Sequence, residues 1–247
     1  MEWKDEGIVL AVKRHGESSA IAEILTATRG RSLGLVRGGR SRHMRPVLQP
    51  GNIVLATWRA RLEEHLGNFA LEPLELKAGL LIGEAMRLAA LTTLTAEAQL
   101  LPEREPHPRL YEAMRVVLDA LEDEGTWPAL LVRWELGLLD ELGFGLDLAR
   151  CAATGTTEDL VYVSPKTGRA VSRAAGLAYH ERLLALPAFL KGIQAERPGQ
   201  TDVVDGLKLT GFFLERHVFG PRGVGAPESR HWILTHLNAN GTASASA

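Results

Sequence analysis

Gly7-Ile8-Val9-Leu10-Ala11-Val12, Ala20-Ile21-Ala22-Glu23-Ile24-Leu25-Thr26 and Ser32-Leu33-Gly34-Leu35-Val36 are three short β-prone runs, punctuated by Gly and charged residues. Asn52-Ile53-Val54-Leu55-Ala56-Thr57-Trp58 reads as a fourth strand after the turn Gln49-Pro50-Gly51, and Asn68-Phe69-Ala70-Leu71-Glu72-Pro73-Leu74 as a short fifth. Five such runs within about 75 residues predict a small β-barrel. After Lys77 the period changes. Leu80, Leu81, Glu84, Ala85, Leu88 and Leu91 lie near helical spacing, as do Leu110, Met114, Val117, Leu118 and Leu121, and then Leu131, Trp134, Leu138 and Leu142. Pro106 and Pro108 separate the first two helices; Thr126-Trp127-Pro128 opens the third with a cap and an early Pro, and Gly143 and Gly145 close it. Further helices are expected at about 176–187, 201–219 and 227–238. The intervening stretch 147–173 is rich in Gly, Thr and Ser, with a hairpin around Leu160-Val161-Tyr162-Val163. The expected organisation is α+β: a barrel at 1–77, a helical domain at 78–238 with an insertion at 147–173, and a disordered tail at 239–247.

The chain has 247 residues, 45% of them hydrophobic and 23% charged, enough for a real core. Its one cysteine, Cys151, excludes an internal disulfide framework and any zinc site with two or more thiolates. The N-terminus MEWKDEG is acidic where a signal peptide would be basic. The longest apolar stretch, Ala78 to Leu101, is interrupted by Glu84, Arg87 and Glu97. A cytoplasmic protein with no membrane span is therefore expected.

The near-neutral total charge hides an asymmetry. Residues 1–61 carry eleven Lys and Arg against five Asp and Glu, a net of +6, which leaves −8 for the rest of a chain whose total is −2. Arg29, Arg31, Arg37, Arg40, Arg42 and Arg45 follow one another with no acidic residue between Arg29 and Arg45. In Gly30-Arg31 and Arg37-Gly38-Gly39-Arg40-Ser41-Arg42, Gly lets the backbone approach a polyanion and Arg supplies forked donors. That combination suits phosphates; the plainer alternative is a solvated basic loop. Trp58 and Phe69 have two readings, as stacking platforms for bases or as core residues, and the core is the simpler. No Walker loop, G-x-S-x-G elbow, H-E-x-x-H or strand-bound G-x-G-x-x-G is present, so nothing points to catalysis or a cofactor. The eight His are scattered. His231 and His236, the closest pair, are spaced i,i+5 and face different sides of a helix, so no metal is expected.

The order of motifs carries more. Gly7-Ile8-Val9-Leu10, His15-Gly16-Glu17-Ser18-Ser19, Leu25-Thr26-Ala27-Thr28-Arg29-Gly30, Val36-Arg37-Gly38-Gly39-Arg40 and Leu48-Gln49-Pro50-Gly51 resemble the N-terminal region of the RecO family of bacterial DNA repair proteins. Arg133-Trp134-Glu135-Leu136-Gly137-Leu138-Leu139-Asp140-Glu141-Leu142-Gly143-Phe144 is similar to that family's central helix, Cys151 follows it, and Glu228-Ser229-Arg230 opens the last helix. The resemblance runs from Gly7 to about Leu237. It implies an N-terminal OB-fold and a helical domain that bind single- and double-stranded DNA without enzymatic activity and anneal complementary strands. With RecR, such a protein loads RecA onto strands coated by SSB, in the cytoplasm at the nucleoid. The competing class is an OB-fold adaptor for RNA or an acidic protein. Many family members carry a four-Cys zinc module in mid-chain. Here Cys151 remains, Thr154 stands at its C-x-x-C partner position and the later pair falls near Val171 and Ala174, so the insertion is expected to fold without metal. The family also holds the acidic, aromatic-ended tail of SSB on its helical domain. The resemblance nominates Arg133 for the tail's carboxylate and Leu130, Trp134 and Leu138 for its apolar floor; the alternative is an Arg that merely snorkels from an amphipathic helix.

Overall fold

A computed structural model describes residues 1–62, 64–122, 125–192 and 198–244. The chain forms two compact units, Met1–Glu124 and Gly125–Ala247. The first unit thus holds the barrel together with the first helices of the segment expected to form the helical domain.

The barrel consists of β1 (Glu2–His15), β2 (Ser19–Thr26), β3 (Gly30–Val36), β4 (Ile53–Arg59) and β5 (Asn68–Glu75), closed in the order β1-β2-β3-β5-β4. This is the expected OB-fold arrangement. The long β1 pairs antiparallel with β4 through Glu2–Ile8 and with β2 through Gly7–His15. A register shift between Val9 and Ala11 bends it from one neighbour to the other. Strand β3 alternates strictly between buried and half-buried residues, the period-2 signature of a sheet with one face on a core. That core gathers Val9, Ile24, Val36, Val54, Trp58 and Phe69, each worth about 1.5 to 3 kcal/mol when fully withdrawn from water. Gly34 is required by packing, since a Cβ there would lie 2.4 Å from the Phe69 ring. Trp58 satisfies its indole N–H by donating to the carbonyls of Leu33 (3.1 Å) and Leu66 (3.2 Å). With Trp58 and Phe69 only 3% and 5% exposed, the core reading of both residues is the one the fold adopts.

Between β3 and β4 lies the short helix α1 (Met44–Val47), and after β5 come α2 (Lys77–Leu80), α3 (Ala85–Ala98) and α4 (Pro108–Ala120). The helix expected from Leu80 onward is broken: Gly83 has φ +96, a left-handed conformation that no helix carries through. Lys77 Nζ reaches Glu75 (3.1 Å), Asp119 (2.8 Å) and Glu122 (2.7 Å) and so ties α2 to the end of α4. Burial disfavours the charged amine, but hydrogen bonds with Asp119, Glu122 and Glu75 outweigh it and hold the ammonium above its ordinary pKa.

The second unit contains α5 (Trp127–Glu141), the strands β6 (Leu160–Val163) and β7 (Ala170–Ser172), α6 (Arg173–Gly176), a 3-10 segment (Leu177–Arg182) and β8 (Leu184–Ala185). It continues with α7 (Gln200–Leu214), a π-turn (Glu215–Phe219), α8 (Gly220–Arg222) and α9 (Glu228–Ser244). Thr126 precedes α5 as expected, but its side chain makes no capping bond. The helix expected at 176–187 is corrected to the short α6, the 3-10 segment and β8. Leu184 and Ala185 are drawn into the sheet β7-β6-β8, and Pro187 keeps the preceding residue extended. The last helix continues into the segment expected to be disordered; residues 245–247 of that tail lie outside the described residues.

Helices α5, α7 and α9 are joined by one buried ion pair. Arg230 donates from Nε to Glu135 Oε1 (2.9 Å) and from Nη2 to Glu135 Oε2 (2.8 Å) and the Leu207 carbonyl (2.7 Å). Thr210 Oγ1 donates to the same carboxylate. A Cβ on Gly211 would sit 2.6 Å from Arg230 Nη1, so a larger residue there would displace the guanidinium. Removing one member of such a pair leaves an uncompensated buried charge. Arg230→Ala should therefore lower urea unfolding stability by about 3 to 5 kcal/mol, and Arg230→Met combined with Glu135→Leu should recover most of it. A loss below about 1 kcal/mol in the single variant would show that the pair does not hold the helices together.

Candidate nucleic-acid interface

The connection from β3 to β4, residues 37–52, is an ordered loop built around its own backbone. Arg40 N–H donates to the Ser18 carbonyl (3.0 Å), and Arg40 Nη1 donates to the carbonyls of Gly16 (3.0 Å) and Glu17 (2.7 Å), which locks the loop onto the β1–β2 turn. Arg45 Nε donates to the Arg40 carbonyl (3.2 Å). Asn52 is fully buried; its side chain donates to the carbonyls of Pro46 (2.7 Å) and Val47 (3.1 Å) and accepts from the Ala78 N–H (3.0 Å). Val47 and Leu48 anchor the loop in the barrel core. Arg37, directly after β3, and Arg42, within the loop, are exposed.

Among the described residues none of Arg37, Arg40, Arg42 and Arg45 is in an ion pair with a carboxylate. Their charge is therefore available to an external anion. A cavity of about 440 Å³ beside the loop is lined by Arg14, Arg40, Arg45, Gly39, Leu48 and Gln49. Arg14, at the end of β1, is a member of this surface that sequence reading missed. It is separated in sequence from the arginine run and joins it only because β1 and the loop meet at one end of the barrel. Arg59, on β4, lines a second groove with Arg37, Met44 and Phe69, but it is paired with Glu2 at 2.8 Å. That hydrogen bond holds the Glu2 carboxyl below its ordinary pKa.

The structure divides the expected arginine cluster. Arg31 is committed to the fold: Nη1 pairs with Glu23, Nε donates to the Leu101 carbonyl (2.8 Å) and Nη2 lies 3.9 Å from Glu103. Arg29 is exposed, and among the described residues its side chain is unpaired, but it sits in the β2–β3 turn at the far end of the hairpin from the loop, about 20 Å along a strand of this length. Four of the six arginines thus lie in the β3–β4 connection, Arg40 and Arg45 beside Arg14 on the cavity and Arg37 on the groove with Arg59.

On α5, Arg133 Nη2 donates to the carbonyls of Phe189 (2.7 Å) and Gly192 (3.0 Å), with the guanidinium carbon 6.0 Å from the Phe189 ring centroid. Leu130 is half-buried. Trp134 and Leu138 are 1% and 0% exposed. They belong to the core of the second unit and cannot floor a surface groove, which corrects that part of the expected tail site. The i,i+4 spacing that suggested a common face is real, but the face is turned inward with Leu131 and Glu135. Cys151 is also buried, and its sulfur accepts from the Ser172 N–H (3.3 Å) and hydroxyl (3.5 Å). Among the described residues no group of three or more His, Cys, Asp or Glu is placed to hold a metal, and no helix is long and apolar enough to cross a membrane.

Comparison with known proteins covers both units. The family model described as Recombination protein O N terminal matches residues 1–76, and Recombination protein O C terminal matches residues 86–224. The chain is 55% identical over 249 residues to the DNA repair protein RecO of Methylobacterium nodulans, covering 99% of this chain and 100% of the relative. It is 55% identical over 240 residues to that of Chelativorans sp., covering 97% of each chain. To that of Sinorhizobium medicae it is 53% identical over 248 residues, covering 100% of this chain and 99% of the relative.

The division of the arginines has a measurable consequence. Arg31→Ala removes a half-buried ion pair and a bond to a carbonyl, and should cost about 1 to 3 kcal/mol of unfolding stability. Arg37→Ala, at an exposed and unpaired position, should stay within about 0.5 kcal/mol of the parent protein. Equal stability of the two variants in urea titration would show that Arg31 is as free as its neighbours.

Proposed function

The chain belongs to the RecO family, and we propose that it acts in DNA repair as a non-enzymatic recombination mediator whose DNA-binding surface is the Arg37–Arg45 loop with Arg14. The observation that supports this reading is an internally hydrogen-bonded loop on a closed barrel whose arginines have, among the described residues, no carboxylate partner. Such a surface neutralises phosphates and releases their counterions, and it does so without reading sequence. It therefore suits single and double strands alike. Annealing needs little more: two strands repel each other through their phosphates, and a basic surface that holds one while admitting the other lowers that repulsion. No nucleotide hydrolysis enters the scheme.

On this reading the protein works with RecR to load RecA onto strands covered by SSB, in the cytoplasm at the nucleoid. The acidic SSB tail would meet the second unit, where among the described residues Arg133 Nε and Nη1 have no partner and Leu130 is partly accessible. Trp134 and Leu138 act there only by supporting α5 from within.

Arg37→Glu combined with Arg42→Glu leaves the loop's internal bonds untouched, because neither side chain takes part in them. The double variant should keep the parent's thermal stability and anneal complementary strands more slowly. Its log-log salt dependence of DNA binding should be shallower by about 0.7 to 0.9 for each phosphate it no longer neutralises. An unchanged slope in the folded variant would place the DNA path elsewhere. Normal DNA binding by the parent protein without any annealing would favour the adaptor class.

A further inference from the structure

At the end of the barrel away from the loop, the chain builds a second, smaller feature that the proposed DNA surface does not use. A pocket of about 130 Å³ is lined by Trp3, Trp58, Arg29, Arg104, Thr28 and Ser32. Trp3 is half-buried and stacks on Trp58, with ring centroids 5.8 Å apart and planes 13° from parallel, while the Phe69 ring meets Trp3 edge-on at 5.8 Å. The partly exposed indole is thus held at a fixed angle by two core aromatics. Rigid aromatic surface of this kind costs little entropy to use.

The cationic rim is also held in place. Arg29 is exposed, and its side chain has no partner among the described residues. Arg104 has φ +61, a left-handed conformation uncommon for a residue with a Cβ. Its N–H donates to the Arg31 carbonyl (2.8 Å), and its Nη2 donates to the His65 carbonyl (3.1 Å). The segment on either side is laced to β3: Glu103 bridges to Arg31, and a Cβ on Gly30 would come within 2.0 Å of the Glu105 carbonyl oxygen. Backbone held in a sparsely populated region by its surroundings is characteristic of binding sites. The nearby carboxylate of Asp5 is occupied by the Thr28 hydroxyl (2.6 Å) and the Glu6 N–H (2.9 Å).

An indole wall, two guanidinium groups and the Thr28 and Ser32 hydroxyls define the guest. It is flat, carries an anion, and accepts or donates hydrogen bonds at its edge. At about 130 Å³ the pocket is a small one, suited to a single ring system. The arginines repel a cationic side chain. We propose that this pocket is a single-nucleotide anchor, in which an unpaired base of single-stranded DNA stacks on Trp3 and its phosphate is held by Arg29 and Arg104. The proposal rests on the DNA-binding reading above and deepens it. A base inside a duplex is already stacked and cannot enter, so the anchor adds affinity for single strands alone, whereas the Arg37–Arg45 loop serves both forms.

The test compares three probes: a short oligothymidylate, an abasic oligodeoxynucleotide of the same length, and a duplex. With the parent protein, oligothymidylate should quench tryptophan fluorescence and the abasic strand should not. Trp3→Ala should weaken oligothymidylate binding about 5- to 150-fold and leave abasic and duplex binding unchanged, while Trp3→Phe keeps most of the affinity. Arg29→Ala should weaken binding of oligothymidylate more than of duplex. A folded Trp3→Ala that binds oligothymidylate like the parent overturns the anchor. Should Trp3→Ala fail to fold, the parent's fluorescence decides: quenching by oligothymidylate alone supports the anchor, and equal or absent quenching overturns it. Persistent abasic and duplex binding with no dependence on bases removes the anchor only, whereas absence of all three removes the DNA reading itself.

Discussion

The first unit depends on a single strand being bonded along both of its edges. β1 gives its first half to β4 and its second half to β2, and the register shift between Val9 and Ala11 is where it changes allegiance. Without that bend the sheet would stay open, with unpaired N–H and C=O groups along β2 and β4. Closure is completed weakly on the other side, where β3 and β5 share only the pair Leu35 and Asn68. The Trp58 indole reinforces that seam by bonding the carbonyls of both Leu33 and Leu66. The positions of both anion-facing features follow from closure. The β3–β4 loop emerges beside the β1–β2 turn at one end, and the β2–β3 turn carries Arg29 to the other.

The second unit solves a different problem with a different device. Its helices bury a carboxylate completely and a guanidinium almost so, which hydrophobic burial alone would forbid, and then satisfy them through a bidentate pair, a hydroxyl and a carbonyl. The pair and its bonds to α7 tie together α5, α7 and α9. On the same α5, Trp134 and Leu138 are buried and Arg133 bonds the Phe189–Gly192 turn.

Much of this is legible from residue order. The five strands are readable because each is a β-prone run bounded by Gly or charge, and α4 and α5 because Pro marks their first turns. The failures have local physical reasons. Leu80 and Leu81 fit helical spacing, yet Gly83 takes a left-handed φ, and spacing cannot report a dihedral angle. Leu184 and Ala185 fit a helix in sequence because the residues that draw them into a strand, on β6, are distant along the chain. The arginine run is visible as charge, but its division is not: Arg31 is neutralised by Glu23 and Glu103, and only strand pairing and the long connection after α3 bring those together. Arg14, Trp3 and Arg104 are invisible for the same reason, since each acquires its neighbours through tertiary structure.

Residues 147–173 are held together by bonds spread along the segment. A structural zinc would instead contribute about 10 to 16 kcal/mol at a single point. Ala152 N–H donates to the Ala170 carbonyl (2.7 Å), Cys151 N–H to the Thr156 carbonyl (2.7 Å), and Asp147 pairs with Arg169 at 3.2 Å. The sheet of β6, β7 and β8 adds its ladder, and Val171 on β7 is buried. Each bond contributes about 1 kcal/mol net. None is indispensable, so the segment tolerates the removal of any one bond in a way that a four-ligand metal site, which fails with its first missing ligand, does not. Cys151 takes part in the same network: it is buried, and its sulfur accepts from the Ser172 N–H.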